Sequence, residues 1–233
     1  MSEWPTTEAE AVALQNALRG RVLRSGPTLD ALRFAAGVDV AYDTDSDLIA
    51  AAVVVLEVAT RQPVAEATMV GRAAFPYVPG LLAFREIPIL ADALRQLTVR
   101  PDVLVCDGYG LAHPRRFGLA CHLGVLTGLP SVGVAKTPFV GRPEAALGVR
   151  RGATVELVDS GEVIGRALRT RDGVKPVYVS IGHRIDLDTA CALTLSLTSG
   201  FRQPETTRRA DSACRAALRD ALSVALSRRN RTS

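Results

Sequence analysis

The sequence predicts a mixed α/β fold in which one β-sheet carries helices on both faces. In the first half of the chain, three long apolar segments follow one another with only turns between them, which is typical of an antiparallel meander. After them, short apolar segments alternate with segments of helical periodicity, which indicates parallel strands joined by helices. The 233 residues are 48% hydrophobic, enough for a sizeable core, so we expect residues 1–233 to form a single domain.

The first half begins with a helix and continues into the meander. Residues 7–19 place apolar side chains at helical spacing, and Gly20 is expected to end that helix. Turn-forming residues at 43–47 and 61–63 separate three predicted strands, which cover residues 34–42, 48–58 and 64–73. The next segment, 75–80 (FPYVPG), contains two prolines and a glycine, which exclude regular structure there.

In the second half, helices and strands alternate. Helices are predicted over residues 81–98, 115–128, 186–198 and 206–228. Strands are predicted over residues 102–107, 131–135, 153–158, 162–169 and 176–181. The strand 102–107 (DVLVCD) is apolar between its ends, as expected for a central parallel strand.

The composition favours a cytoplasmic protein. The formal net charge of +4 is compatible with a nucleic-acid partner without requiring one. Only two of the 28 basic residues are lysines, so Lys136 and Lys175 are candidates for specific roles. The four cysteines show no CxxC spacing and are expected to be reduced and buried. Because the N-terminus shows no signal-peptide pattern and the longest apolar run is too short to span a bilayer, we expect no membrane association. We also expect a monomer.

Two aspartates occur in an unusual setting on apolar strands. Asp39 interrupts the segment GVDVA, and Asp107 ends the segment VLVCD before Gly-Tyr-Gly. An uncompensated carboxylate inside a sheet is costly, and a hard cation such as Mg²⁺ can compensate it through carboxylate oxygens. Asp107 would also lie at the carboxyl end of a parallel strand, where sites in open α/β sheets form. Glu86, on the predicted helix 81–98, is a third candidate ligand.

Each candidate also has a purely structural interpretation. Asp107 before a glycine can be a turn former, and Glu86 beside Arg85 can be a surface charge. Asp39, inside an apolar strand, is harder to explain in this way. The spacing alone therefore leaves a metal site plausible and the alternatives open.

Further polar residues are candidates for the same site. Lys136 can provide a positive charge near a scissile phosphate, or it can be a surface lysine. His113 and Arg115, in the segment HPRR, are expected to open the helix 115–128, where a phosphate can bind; ordinary capping is the alternative. Asp211 can face the site or the solvent. The arginines that could contact phosphates, or remain solvated, are Arg208, Arg209 and Arg215.

Eight short motifs run in a fixed order through the chain. They are GVD (37–39), PYVPG (76–80), FRE (84–86), DGYG (107–110), HPRR (113–116), GVAK (133–136), GHR (182–184) and PETTR (204–208). In these motifs and their order, over about residues 36–211, the chain resembles the endonuclease V family of deoxyinosine-specific repair nucleases. Residues 1–30 and 143–173 match least well and carry no assigned role.

The resemblance implies a ribonuclease-H-like fold, which agrees with the mixed sheet predicted above. It implies that Asp39, Glu86 and Asp107 hold a catalytic Mg²⁺, for which Mn²⁺ can substitute. Asp211 corresponds to a position that is His or Asp across the family, and Lys136 corresponds to the family's lysine. Both are therefore further catalytic candidates.

The resemblance also implies how a lesion would be recognised. A wedge inserts into the double helix beside the lesion, and it consists here of Pro76, Tyr77, Val78 and Pro79. The rigid prolines hold the Tyr77 ring, which fills the gap left by an extruded base. The flipped hypoxanthine would occupy a pocket formed by backbone groups near Gly80, Leu82, Gly108 and Gly118. Fixed donors and acceptors in that pocket could reject adenine, whose hydrogen-bonding pattern is the reverse.

The implied function is a DNA repair endonuclease that recognises deoxyinosine and hydrolyses the second phosphodiester bond on its 3′ side. The products carry 3′-hydroxyl and 5′-phosphate ends. An endoribonuclease specific for inosine in RNA is an alternative, because the sequence does not reveal contacts to a 2′-hydroxyl. A non-catalytic binder of deaminated bases is another, although the intact carboxylates argue against it. Tyr109, in the middle of DGYG, departs from many members of the family and bears on substrate preference rather than on the metal site.

Overall fold

The computed structural model describes residues 4–229 of the chain. Within this range, the α-helices are α1 (Glu8–Leu18), α2 (Leu82–Arg95), α3 (Leu119–Thr127), α4 (Leu187–Ser196) and α5 (Glu205–Arg229). The strands are β1 (Phe34–Tyr42), β2 (Leu48–Glu57), β3 (Pro63–Arg72), β4 (Val103–Cys106), β5 (Ser131–Ala135), β6 (Arg142–Pro143), β7 (Thr154–Asp159), β8 (Glu162–Leu168) and β9 (Val177–His183).

These strands form one sheet in the order β3-β2-β1-β4-β5-β9-β8-β7-β6. The first three pair antiparallel, which confirms the predicted meander. β4 lies parallel between β1 and β5, and all four of its residues are buried. A strand covered on both faces reads as a continuous apolar run, which is why VLVC could be recognised as central.

Helices cover both faces of this sheet. Alternate residues of β1 point in opposite directions. Ala36, Val38 and Val40 pack in one cluster with side chains of α2 and α3. On the opposite face, α5 packs against β1 and β2. This arrangement confirms the predicted fold class.

Most predicted elements agree with the structure to within three residues. The helix predicted over 115–128 is wrong at its start, because α3 begins at Leu119 and residues 113–116 form a turn. The Arg116 N–H donates to the His113 carbonyl within this turn, and the residues on either side of it are hydrogen-bonded outside any helix. The Leu111 N–H donates to the Ile181 carbonyl on β9, and the Gly118 N–H donates to the Gly110 carbonyl, so the chain closes into a loop. The two-residue strand β6 is too short to produce a sequence pattern and was not predicted.

The N-terminal helix α1 packs beside the loop that precedes α2. A capping box between Thr7 and Glu10 begins the helix. Its two buried residues are Ala11 and Gln15. Ala11 lies in a cluster with Phe75, Leu81 and Phe84, which places α1 against both ends of the PYVPG segment.

Two further predictions concern the cysteines and the membrane. All four cysteines are free thiols in buried positions, as predicted. No helix within residues 4–229 has the length and apolar character that crossing a lipid bilayer requires.

Candidate active site

The two predicted aspartates lie side by side at the centre of the sheet. β1 and β4 run parallel with Val38 opposite Cys106, and the next residue along the chain is Asp39 in one segment and Asp107 in the other. Asp107 directly follows the carboxyl end of β4, as predicted. Strand pairing is therefore enough to bring these two carboxylates together.

The C-terminal helix brings a third carboxylate to the same place. α5 packs so closely against β1 that a Cβ added to Gly37 would lie 2.2 Å from the Thr206 carbonyl group. Only glycine permits this approach. Asp211 lies five residues further along α5, and its charge adds to the effects of burial and of Asp107 that raise the pKa of Asp39.

Glu86 lies on the buried face of α2, with only 6% of the residue exposed. Its burial excludes the interpretation as a surface charge. The Tyr42 hydroxyl, at the end of β1, donates a hydrogen bond to the Glu86 carboxylate. Burial raises the pKa of Glu86 to about 8; the bond from Tyr42 opposes this rise, and the charges of Asp39 and Asp107 increase it.

We call Asp39, Glu86, Asp107 and Asp211 together the acidic centre, and Lys136 directs its ammonium group at it. Its Nζ lies 2.6 Å from Asp107 Oδ2, and Nε2 of Gln203 lies 3.3 Å from the same oxygen. The Arg202 guanidinium donates to the carbonyl groups of Lys136 and Pro176, which holds the lysine backbone in place. Partial burial lowers the pKa of Lys136, but the hydrogen bond and the charge of Asp107 outweigh it and raise this pKa overall.

The ionised form of Asp39 is disfavoured both by burial and by neighbouring carboxylates. Burial raises the pKa of Asp39 to about 7, with the charge of Asp107 as the second cause. A hydrogen bond from the Val40 N–H to Asp39 Oδ1 (2.8 Å) opposes this rise. The ionised form of Asp39 is therefore destabilised, and an additional cation at this point would stabilise it.

A cavity of about 390 Å³ opens beside the acidic centre. Asp107 and Lys136 form part of its wall. The rings of Tyr109 and Phe139, whose centroids are 5.2 Å apart, form another part. All four residues predicted for the lesion pocket line this cavity, namely Gly80, Leu82, Gly108 and Gly118. Three residues of the predicted wedge also line it, namely Tyr77, Val78 and Pro79. The structure thus joins the predicted recognition residues to part of the acidic centre.

His113 and Arg115 do not lie at a helix N-terminus, so the predicted phosphate seat is wrong in its geometry. Both side chains contact the Gly80 carbonyl oxygen, at 3.0 Å from His113 Nε2 and 2.8 Å from Arg115 Nη2. Burial, followed by the charge of Arg115, lowers the pKa of His113 to about 4, so its ring is neutral at pH 7. Contact of either side chain with a phosphate stays a prediction.

The arginines of α5 pair with acidic residues of their own helix. Arg208 and Arg209 contact Glu205 at 2.6 and 3.1 Å, and Arg215 contacts Asp211 at 2.7 Å. Ion pairs at this level of exposure contribute little to stability and separate readily. Contact of these arginines with phosphates therefore also stays a prediction.

The sequence matches the family model for endonuclease V over residues 16–212. The chain belongs to the endonuclease V family. The endonuclease V of Streptomyces avermitilis is 60% identical over 94% of this chain and 95% of its own length. A crystal structure of the S. avermitilis enzyme superposes with a TM-score of 0.90 at 58% identity, covering 95% of this chain and 97% of the other. This likeness confirms the ribonuclease-H-like fold class.

A more distant endonuclease V has been solved with nucleic acid. It comes from Ciona intestinalis, in complex with a 24mer DNA containing an inosine followed by a ribo-adenosine. This structure has a TM-score of 0.81 and 29% identity, and the match covers 91% of this chain and 98% of the other.

The donor set of this site fits a hard divalent cation by its chemistry. The candidate ligands Asp39, Glu86 and Asp107 provide carboxylate oxygens, which Mg²⁺ and Mn²⁺ prefer. Burial, with the charges of neighbouring carboxylates, raises the pKa values of Asp39 and Glu86, so a bound cation would stabilise their ionised forms. Within residues 4–229, no three acidic, histidine or cysteine side chains are arranged so that they could hold one metal ion. The fit therefore rests on donor chemistry and charge rather than on ligand geometry.

Three polar residues at the site were missed by the sequence analysis. Tyr42 lies on the face of β1 that packs against α2, so strand periodicity could have predicted its contact with that helix. Gln203 precedes the PETTR motif, and no local pattern distinguishes it. Gln15 is completely buried and donates to the Gly80 carbonyl at 3.0 Å. Its role depends on packing between segments far apart in the sequence.

The substitution Asp39→Asn is expected to stabilise the metal-free protein more at pH 8 than at pH 5. The folded state binds a proton at Asp39 more tightly than the unfolded state does, with a pKa of about 7 against 3.8. This contribution to stability is complete below pH 4 and is lost as the pH rises through 7. Between pH 5 and pH 8, the stability difference between variant and wild type should widen by about 2.5 kcal/mol. Urea denaturation with a chelator present measures it.

A matched control is Asp45→Asn, which changes an exposed carboxyl in the turn after β1. Its stability difference from the wild type should be similar at both pH values. A difference for Asp39→Asn that does not widen at pH 8 would show that burial does not destabilise the ionised form of this carboxyl.

Proposed function

We propose that this protein is a DNA repair endonuclease that recognises deoxyinosine and hydrolyses the second phosphodiester bond on its 3′ side. The reaction depends on Mg²⁺ and leaves 3′-hydroxyl and 5′-phosphate ends. The main support for the proposal is the cavity described above. Its wall contains residues of the wedge and the predicted pocket residues together with Asp107 and Lys136. The inosine-containing DNA bound by the Ciona relative supports this class of substrate.

The wedge segment has the properties that opening a base stack requires. Tyr77 is 70% exposed, so its ring is accessible for stacking on a base. The flanking prolines, Pro76 and Pro79, restrict the backbone, so the ring would lose little entropy when it stacks on bases. An extruded base would then enter the adjoining cavity, whose volume is within the usual range for small-ligand sites.

The acidic centre would perform the cut. Asp39, Glu86 and Asp107 are the residues that would hold Mg²⁺, which when bound supplies charge stabilisation at the scissile phosphate. Lys136, already directed at Asp107, can donate to a phosphate oxygen or orient the attacking water. Asp211, whose charge acts on Asp39, is an accessory carboxylate on α5. The continuous sheet supports the further proposal that one domain carries both recognition and cutting.

Cleavage of inosine-containing RNA is a second candidate function. The Ciona complex favours testing it, because the inosine in that DNA is followed by a ribonucleotide. The same cavity and carboxylates would serve both substrates. Cleavage of DNA and RNA duplexes of matched sequence, each with inosine or adenosine at one position, distinguishes the two functions. Each cleavage rate is measured once in the presence of Mg²⁺ and once in the presence of a chelator.

The variant Asp107→Asn is expected to lose cleavage of an inosine-containing DNA duplex by at least about 10³-fold, because it removes negative charge from the centre that holds the cation. The measurement is single-turnover cleavage, with the product ends mapped on a denaturing gel. Asp45→Asn is the matched control and should cut like the wild type. Full activity in Asp107→Asn would exclude Asp107 as a metal ligand. A wild-type protein that binds the inosine-containing duplex tightly without cutting it would indicate a non-catalytic binder.

Replacement of Tyr77 by alanine is expected to reduce kcat/KM for the inosine duplex by about 10- to 100-fold, the range that corresponds to losing one base-stacking contact. Its thermal stability should stay near that of the wild type because the ring is exposed. Tyr77→Phe keeps the ring and should retain most activity. Equal activity of the alanine and phenylalanine variants would rule out a stacking role for Tyr77.

A further inference from the structure

One backbone oxygen beside the cavity accepts hydrogen bonds from three side chains. The Gly80 carbonyl lies 3.0 Å from Gln15 Nε2, 3.0 Å from His113 Nε2 and 2.8 Å from Arg115 Nη2. A carbonyl oxygen has two lone pairs, so its accepting capacity is fully used. We call Gln15, His113 and Arg115 together the Gly80 clamp.

The members of the Gly80 clamp also hold one another. Arg115 donates from Nε to the Gln15 side-chain oxygen, and its backbone N–H donates to His113 Nδ1 at 3.2 Å. Gln15 Nε2 also donates to the Phe117 carbonyl at 3.0 Å. The amide of Gln15 is thus completely buried with both its nitrogen and its oxygen paired. A buried amide without these partners would be costly, so its orientation is well determined.

Gly80 is the point at which the wedge joins α2. Its φ of +81° favours glycine, and an added Cβ would lie 2.8 Å from Arg115 Nη2. At the other end of the wedge, Phe75 is buried against Phe84, and its carbonyl accepts a hydrogen bond from Arg85 at 3.1 Å. The exposed tip of the wedge is therefore anchored at both ends.

The helix α1 contributes to both anchors. Of its two buried residues, Ala11 packs in a cluster with Phe75 and Phe84, and Gln15 donates a hydrogen bond to the Gly80 carbonyl. Ala11 and Gln15 lie four residues apart and so on the same face of the helix. The sequence motifs assign no role to this helix, yet the face that it buries lies against the ends of the wedge.

We propose that Gln15 is a positioning residue for lesion recognition. Through the Gly80 clamp it holds the Tyr77 wedge and the backbone of the cavity in fixed positions relative to Asp107. The inference rests on the proposed function. Discrimination between hypoxanthine and adenine depends on backbone donors and acceptors at defined positions, so a small displacement of Gly80 and Leu82 would reduce it. Binding to undamaged DNA depends on phosphate contacts and would not change.

The test uses Gln15→Leu, which keeps similar bulk and removes both donors and the acceptor. The control is Asn16→Leu, the same type of change at the next, exposed position of α1. One measurement is the ratio of kcat/KM values for duplexes with inosine and with adenine at the same position. The other is the fluorescence of 2-aminopurine placed beside the inosine, because this fluorescence increases when the neighbouring base stack opens. A rapid-mixing instrument records the fluorescence change before the DNA is cleaved.

The expected result for Gln15→Leu is a ratio at least about tenfold lower than that of the wild type, with a smaller fluorescence increase and unchanged affinity for undamaged DNA. Asn16→Leu should match the wild type in all three. A folded Gln15→Leu variant with the wild-type ratio and fluorescence would overturn the inference alone. A wild-type protein that does not distinguish inosine from adenine would overturn the proposed function and the inference together.

A second variant keeps the test decisive if Gln15→Leu does not fold. Arg115→Lys changes a partly exposed member of the clamp and retains its positive charge. Lysine lacks the planar group that reaches Gln15 and Gly80 at once, so the ratio should again fall. If a folded Arg115→Lys variant keeps the wild-type ratio, the inference is wrong.

Discussion

The free energy cost of holding several carboxylates close together in the middle of a sheet is the constraint on which this site depends. Parallel pairing of β1 and β4 places Asp39 beside Asp107, and the close approach of α5 at Gly37 brings a third acidic residue. Glu86 joins them from a helix whose apolar face is buried. Backbone hydrogen bonds and apolar packing maintain this arrangement against electrostatic repulsion. Lys136 supplies part of the missing positive charge, and a divalent cation would supply more.

In the proposed function, recognition and cutting would occupy adjoining parts of the molecule. The carboxylates are held by the sheet and by two helices, whereas the wedge is a loop held at its two ends. Such a division suits an enzyme whose chemical step is the same at every phosphate but whose choice of position depends on one base. The Gly80 clamp connects the two parts, because Gly80 ends the wedge, lines the cavity and precedes the helix that carries Glu86.

Local sequence patterns predicted the fold and two of the carboxylates, whereas the wedge and the pocket residues were predicted only from the resemblance to the endonuclease V family. A carboxylate inside an apolar strand is visible without a structure, and Asp39 and Asp107 were found in that way. The burial of Glu86 and the contacts of Gln15 depend on helices packing against distant segments, about which local patterns carry no information. Residues 113–116 were predicted to open the helix 115–128, but α3 begins only at Leu119. Hydrogen bonds to β9, in a part of the chain about 70 residues away, determine the turn instead.

The number of protons released when a divalent cation binds shows whether the buried carboxyls of this site hold that cation. Calorimetric titration of Mn²⁺ or Mg²⁺ into the metal-free protein at pH 7, in two buffers of different ionisation enthalpy, gives that number. Because burial raises the pKa of Asp39 to about 7 and that of Glu86 to about 8, these carboxyls are partly protonated at this pH. If these carboxyls ionise when they bind the cation, about one proton is released for each ion bound. Binding without proton release, or no binding, would contradict this role of the carboxyls.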